Sequence, residues 1–394
     1  MTEPYDPLAS VQAAGPPGTI SFIYGLPDTA TFPVAELKHC YDRVFEENSE
    51  LALQYAPEQG YGPLIDFLRD KIQRDEGIRI ERPQMTLTGG AAQGLDHLCT
   101  MLTRSGDTVL VEAPTYRDSL ELLRNHGLEL VSVPTDQDGL IVDDLMSTLD
   151  SLEKEGEKPR FLYTIPTFQN PGGLTLSEER RRALINMSAQ RDLLIVEDDV
   201  YFDIAFKPLD VTPLFTLAHG KNVVRLGSFS KIIAPGLRLG WVSGPPEIID
   251  SLIQSGLRCM GGGANPVTAN AISFFCQEGH LDSHLAKVKP VYKQRRDVMV
   301  ETLRSTMPGG VSWTEPEGGF FIWLTLPDDL LSVDIEAWAK EAGVWVPPGD
   351  LFFAGPPPGQ HIRMAFSYVH PDKIRRGITQ LARVIKGKLL VPGE

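Results

Sequence analysis

The chain has 394 residues, of which 42% are hydrophobic and 23% charged, with a formal net charge of −15. That length suits two domains, each with its own core, and the composition is that of an ordinary globular protein. The acidic balance argues against a nucleic-acid surface or an anionic membrane as partner, so any phosphate must be captured locally by a few placed groups. Residues 1 to 35 are rich in Gly, Pro and Ala, with Ile20 to Pro27 as a short strand running into a turn; apolar anchors make this stretch an arm or lid. Ala35 to Asn48 reads as an amphipathic helix. A polar, Gly-rich loop from Leu53 to Pro63 follows, then a helix from Pro63 to Glu76 with Leu64, Phe67, Leu68 and Ile72 at helical spacing.

From Met85 strands alternate with helices. Met85 to Thr88 is a strand, Gly89 to Gly94 a glycine-rich turn, and Leu95 to Leu102 a helix. Small residues at such a turn leave helix N-terminal amides free for an anion, although a tight turn without a ligand explains them equally well. Strands follow at 108–112, 128–133 and 160–165, with helices at 118–125 and 143–155. Another helix, 177–191, opens on a cap-like Ser177 followed by Glu178 and Glu179. Leu193 to Tyr201 is an apolar strand that runs into three acids and a tyrosine, as expected of a strand covered on both faces. These units predict an α/β doubly wound domain, with functional residues at the strand carboxyl ends. Tyr116, Asn170, Asp198 and Lys231 all fall at such ends. Beyond Leu281 a long helix (285–306), strands at 311–314, 344–346 and 361–366 and helices at 335–342 and 371–386 predict an α+β unit. Gly261-Gly262-Gly263 reads as loosening its loop. The four cysteines, Cys40, Cys99, Cys259 and Cys276, are scattered without a C-x-x-C pair, so reduced thiols are expected and no metal site or disulfide framework. No apolar run approaches membrane-spanning length and the N-terminus lacks a basic region, so the expected location is cytoplasmic.

The chemistry concentrates in Ser228-Phe229-Ser230-Lys231-Ile232-Ile233-Ala234-Pro235-Gly236-Leu237-Arg238-Leu239-Gly240-Trp241, directly after a strand ending at Gly227. Hydroxyls, a fixed cation and backbone N–H groups at a strand end make a seat for a phosphate. A lysine beside that seat can form a Schiff base with an aldehyde if its surroundings partly deprotonate it; taken alone, it reads equally as a solvated lysine.

As a set, the motifs Q-Y-A-P-E-Q-G-Y, G-G-A-A-Q-G-L-D, Q-N-P-G-G, V-E-D-D-V-Y, the serine–lysine stretch, E-G-G-F-F-I-W and I-R-M-A-F-S cover the chain from about residue 20. In this order and spacing the chain resembles the aspartate-aminotransferase superfamily of pyridoxal-phosphate enzymes, nearest to the 2-aminoadipate and kynurenine aminotransferase-like branch. The resemblance implies fold type I: a large domain (49–284) with a doubly wound, mostly parallel seven-stranded sheet, a small α+β domain (285–394), and an arm with part of the small domain (1–48). It implies that Lys231 holds pyridoxal 5'-phosphate as a Schiff base and then moves the proton at the substrate Cα. Asp198 would pair with the pyridine nitrogen, with Asp199 as rival. Tyr201 and Asn170 would bond the cofactor's phenolic oxygen, and Tyr116 would stack on the ring or simply pack at its strand end. Gly90, Ala91 and Ala92 amides, Ser228, Ser230 and Arg238 would hold the phosphate. Many relatives carry a hydroxyl residue at the position of Ala91 or Ala92, which leaves only backbone donors at this edge. Tyr55 would reach the phosphate of a neighbouring subunit in a homodimer with shared sites, or be a buried loop tyrosine. Arg363 would clamp the substrate carboxylate or form a structural ion pair, and Gly25, beside Tyr24, would let the arm pass over the substrate.

The implied activity is a transaminase acting on an amino acid and a 2-oxoacid such as 2-oxoglutarate by a ping-pong mechanism. The alternative is elimination, decarboxylation or oxidation on the same scaffold. A transcription-regulator effector domain is disfavoured, because about twenty residues precede the first matched strand and the chain is acidic. Residues 8 to 24 contain no Lys or Arg, so neutral or aromatic donors are expected over acidic ones.

Overall fold

The computed structural model describes residues 18–389. In chain order the strands are β1 (Ile20–Ser21), β2 (Met85–Thr88), β3 (Thr108–Ala113), β4 (Glu129–Asp136), β5 (Gly139–Leu140), β6 (Phe161–Thr164) and β7 (Leu194–Asp198). They continue as β8 (Val223–Ser228), β9 (Gly240–Ser243), β10 (Ser312–Trp313), β11 (Phe321–Leu326), β12 (Val344–Trp345) and β13 (Gln360–Ala365). The large sheet has the order β2-β9-β8-β7-β6-β3-β4, with the two-residue β5 at its edge. Strands β4, β3, β6, β7 and β8 run parallel, β9 runs against β8, and β2 runs against β9, which returns β2 to the common direction. This is the α/β architecture that the strand and helix alternation predicts.

Alternation along the central strands fixes two apolar layers. Leu110, Leu162, Ile195 and Val223 belong to one core, while Val109, Val111, Phe161, Tyr163, Val196 and Val224 belong to the other. Because side chains on a strand point to opposite faces at each step, an uninterrupted apolar run buries both. At about 25 cal/mol per Å², each such side chain contributes roughly 1.5–3 kcal/mol, which is what holds helices on both faces.

Helix starts are set by local chemistry. The helix Ala91–Leu102 begins four residues before the expected Leu95, because Gly90, at φ +106°, turns the chain so that Ala91 already opens the first turn. Ser177 accepts a hydrogen bond from the Arg180 N–H and caps the helix Glu178–Arg191. Helices Val34–Glu47 and Pro266–Gln277 pack on each other, as do His280–Thr306 and Pro371–Leu389.

The second sheet is small: β10-β11-β13, antiparallel, with Trp323 opposite Arg363. The arm reaches it. β1 pairs with β12, the Phe22 carbonyl accepts from the Ala365 N–H at 2.8 Å, and the chain continues to Gly25. The earlier part of the arm, residues 8–17, lies outside the described residues.

Candidate active site

The carboxyl ends of β2, β3, β6, β7 and β8 converge, and β13 brings one arginine from the small sheet. Asp198 and Asp199 end β7 on opposite courses. Both are buried, but Asp199 pairs with Arg225 at 2.6 Å, and Arg225 also pairs with Glu76 at 2.6 Å. Asp198 instead accepts a hydrogen bond on Oδ2 from the Tyr163 hydroxyl at 2.6 Å, and its Oδ1 is buried with no partner. Tyr163 is held in turn by Ser119 at 2.8 Å. Burial raises the Asp198 carboxyl to about 6, while the Tyr163 hydrogen bond pulls in the opposite direction. Each acid keeps one buried oxygen without a partner, Asp198 Oδ1 and Asp199 Oδ1; what separates them is that Asp199 is neutralised by Arg225, whereas no cation pairs with Asp198 among the described residues.

Lys231, half-buried just past β8, donates to the Gly25 carbonyl at 3.1 Å, and its ammonium lies 6.0 Å from the centre of the Phe320 ring. Burial pushes the amine down to about 8. The like charges of Arg363 and Arg238 act in the same direction, and Asp198 and Asp118 oppose them. A lysine so placed is neutral often enough near neutral pH to act as nucleophile or base.

Arg363 is buried. Its Nη1 donates to Asn170 Oδ1 at 3.0 Å, Nη2 donates to the Ile23 carbonyl, and Nε has no partner. Its guanidinium carbon lies 4.4 Å from the centre of the Phe321 ring and 4.5 Å from that of Phe352. No carboxylate pairs with it among the described residues, so the structural ion pair that its buried position suggested is not what holds it. Burial pulls it down to about 10. A guanidinium seated between two rings, with a donor to spare, is built for an incoming anion.

Tyr201 lies in the turn after β7, three residues past its end. It is buried, and its ring meets Phe320 and Phe321 edge-on at 5.5 and 6.0 Å. Tyr116, half-buried after β3, donates to Asp118 at 2.6 Å. Burial raises both phenols above their ordinary range.

At the opposite rim, the helix Ala91–Leu102 starts with no side-chain cap, so the first amides, those of Ala91 and Ala92, remain open to an anion. A Cβ on Gly90 would come 2.9 Å from Arg238 Nη2, which donates to the Gly89 carbonyl at 3.0 Å. Ser228 accepts from the Ser230 N–H at 3.1 Å, and both serines are buried. These groups fit a phosphate, and the unpartnered Asp198 Oδ1 fits the N–H of a protonated aromatic ring.

Tyr24 and Tyr55 stand apart from this cluster, while Gly25 reaches Lys231 through its carbonyl. Tyr24 is 38% exposed, and Gly25 presents its backbone; a Cβ there would run into the Phe321 ring, so the arm's close approach requires glycine. Tyr55 is 79% exposed, against the alternative of a buried loop tyrosine. Its ring instead covers Gly261, at φ +87°, where a Cβ would come 2.6 Å from it. Within the glycine triplet, Gly261 is the residue that admits this ring. Sequence reasoning missed Tyr163, Phe352 and Asp118. A tyrosine inside an otherwise apolar strand was a legible signal for the first, because a buried hydroxyl needs a partner. Phe352 and Asp118 carried none.

The family model for aminotransferase class I and II matches residues 26–381. The chain is 38% identical to aromatic-amino-acid aminotransferase 1 of Thermococcus litoralis, over 94% of this chain and 88% of that protein. Among solved structures it is similar to the kynurenine aminotransferase of Pyrococcus horikoshii, with TM-score 0.91, 34% identity and 98% of both chains covered. It is also similar to the α-aminoadipate aminotransferase of Thermus thermophilus complexed with N-(5'-phosphopyridoxyl)-L-leucine, with TM-score 0.86, 33% identity, and 95% of this chain and 93% of that one covered.

Proposed function

The chain belongs to the aminotransferase class I and II family, and we propose that its own residues divide the work of that family's reaction as follows. The protein is a pyridoxal-phosphate enzyme that transfers an amino group between an amino acid and a 2-oxoacid. When bound, the cofactor supplies an aldehyde that receives the amino group and a ring that withdraws electrons from the substrate Cα. Asp198 offers Oδ1 to the ring nitrogen and keeps it protonated. Lys231 would hold the cofactor through its aldehyde, and its amine would carry the proton at the substrate Cα. Tyr201 and Asn170 bond the phenolic oxygen, and Tyr116 covers the ring. The amides of Gly90, Ala91 and Ala92, with Ser228, Ser230 and Arg238, hold the phosphate. Arg363 takes the substrate α-carboxylate, with Tyr24 and Gly25 of the arm above it. The observation that carries this reading is the buried, unpartnered Asp198 oxygen in a site where Lys231 is half-buried and pushed down to about 8.

Neutral or aromatic donors are favoured in this reading, supported by the absence of Lys and Arg from residues 8–24 and by the Ile23 and Gly25 carbonyls that face Arg363 and Lys231. 2-Oxoglutarate is the acceptor we expect. The unit is a homodimer in which Tyr55 reaches the neighbouring copy's phosphate, supported by its exposure beside exposed Leu53. The division at 1–48, 49–284 and 285–394 and a cytoplasmic location, supported by four free cysteines of which three are buried, belong to the same reading.

The test is an absorbance titration of the purified protein with leucine, methionine, phenylalanine and glutamate in turn, followed by 2-oxoglutarate. The amino acid should convert the cofactor band and the oxoacid restore it, with kcat/KM highest for the neutral and aromatic donors. A glutamate value well above the other three would overturn the donor preference.

A further inference from the structure

Asp118 lies in the first turn of the helix Arg117–Asn125, two residues past Tyr116. Its Oδ2 accepts from the Tyr116 hydroxyl at 2.6 Å, at the short end for such bonds. The same corner is tied to the carboxylate clamp: the Thr115 N–H donates to the Phe352 carbonyl at 2.8 Å, and the Phe352 ring lies 4.5 Å from the Arg363 guanidinium. Asp118 is exposed, so its charge can be removed without stranding a buried group.

We propose that Asp118 is a positioning residue of the active site: it fixes the Tyr116 phenol from the solvent side and keeps a negative charge at the rim that faces Lys231. The inference rests on the reading that Lys231 and Tyr116 hold the cofactor.

The charges around the amine support it. Arg363 from β13 and Arg238 from the turn after β8 lower its proton affinity, while Asp198 at the end of β7 and Asp118 on the helix raise it. Asp118 acts in the same direction on Arg363, where its neighbour Arg117 opposes it, and on Tyr116. Asp198 is committed to Tyr163 and to the site's interior, so Asp118 is the acid that sets the field from outside.

The experiment uses holoenzyme reconstituted with pyridoxal phosphate, as wild type, Asp118→Asn, Asp118→Ala and Tyr116→Phe. Absorbance of the bound cofactor is followed from about pH 6 to about pH 10, together with its induced circular dichroism. Removing the anion makes the cationic form less favourable, so the midpoint should fall by about half a pH unit in both Asp118 variants. The amide oxygen of Asp118→Asn still accepts from Tyr116, so its dichroism should be retained. That of Asp118→Ala should drop, and Tyr116→Phe should reproduce the drop without the fall in midpoint. An unmoved midpoint in Asp118→Asn, or full dichroism in Asp118→Ala, would overturn the proposal while the cofactor reading stands. A wild type that shows no cofactor band would instead sink the reading itself.

Discussion

Lys231 is a half-buried cation held near two arginines and two acids, and that arrangement has a thermodynamic sign. Its folded value of about 8 lies below the ordinary 10.5, so between those values the folded chain binds fewer protons than the unfolded one. Stability therefore rises with pH through that window, and the full penalty is present below about 8. In the cofactor-free protein, Lys231→Met should be more stable than wild type by about 1–3 kcal/mol at pH 7, discounted for partial exposure. The gap should close as pH approaches 10.5. Chemical denaturation at both pH values checks it, and an equal difference at the two would refute it. The cost is a functional strain of the kind expected at an active site. Asp198 shows how far one residue could be read from sequence. Two adjacent acids at the end of an apolar strand announced a site, but only Arg225, arriving from β8, decides that Asp199 is the structural one.

At the scale of elements, segments bounded by clear turn or cap residues were legible to within a few residues, as in Met85–Thr88 and Glu178–Arg191. Two strands were not. β9 is four residues long and β5 two, and neither has a pattern of its own; each exists because a neighbouring strand offers its backbone groups. The arm was read as a short strand from Ile20 into a turn; the structure keeps only Ile20–Ser21 as strand, paired with β12, and the chain is then carried over Phe321 to Lys231. Gly25→Ala would press a methyl into the Phe321 ring, which also packs on Tyr201 and Arg363. Overpacking of this type costs about 1–3 kcal/mol. Because the Ile23 and Gly25 carbonyls hold the two cations, the KM for the amino acid should rise about tenfold or more. Steady-state kinetics decide it: an unchanged KM would mean that the arm does not position the substrate.

For the whole molecule, the homodimer proposed above would cover a group of exposed apolar side chains. Leu53, Tyr55, Leu257 and Met260 are 68%, 79%, 51% and 83% exposed, and Leu53 and Tyr55 line a cavity of about 460 Å³ together with Arg258 and Gly261. Side chains of this kind gathered at one place are characteristic of an interface. Sedimentation should give twice the 43.5 kDa chain mass, and Met260→Asp should shift the protein towards monomer with loss of activity. A wild type that is monomeric and fully active would remove Tyr55 from the neighbouring site.

The sequence by itself determined the alternation that makes the doubly wound sheet, and it placed Lys231, Asp198, Asn170 and Tyr116 at strand ends. Those features are local, carried by period and by turn residues. Tertiary structure decided which side chains meet: Tyr163 with Asp198 across 35 residues, Arg363 with Asn170 across 193, and the arm's carbonyls with both cations. A hydrogen bond needs its partners within tenths of an ångström, and positions of that accuracy come only from the packing of every layer at once.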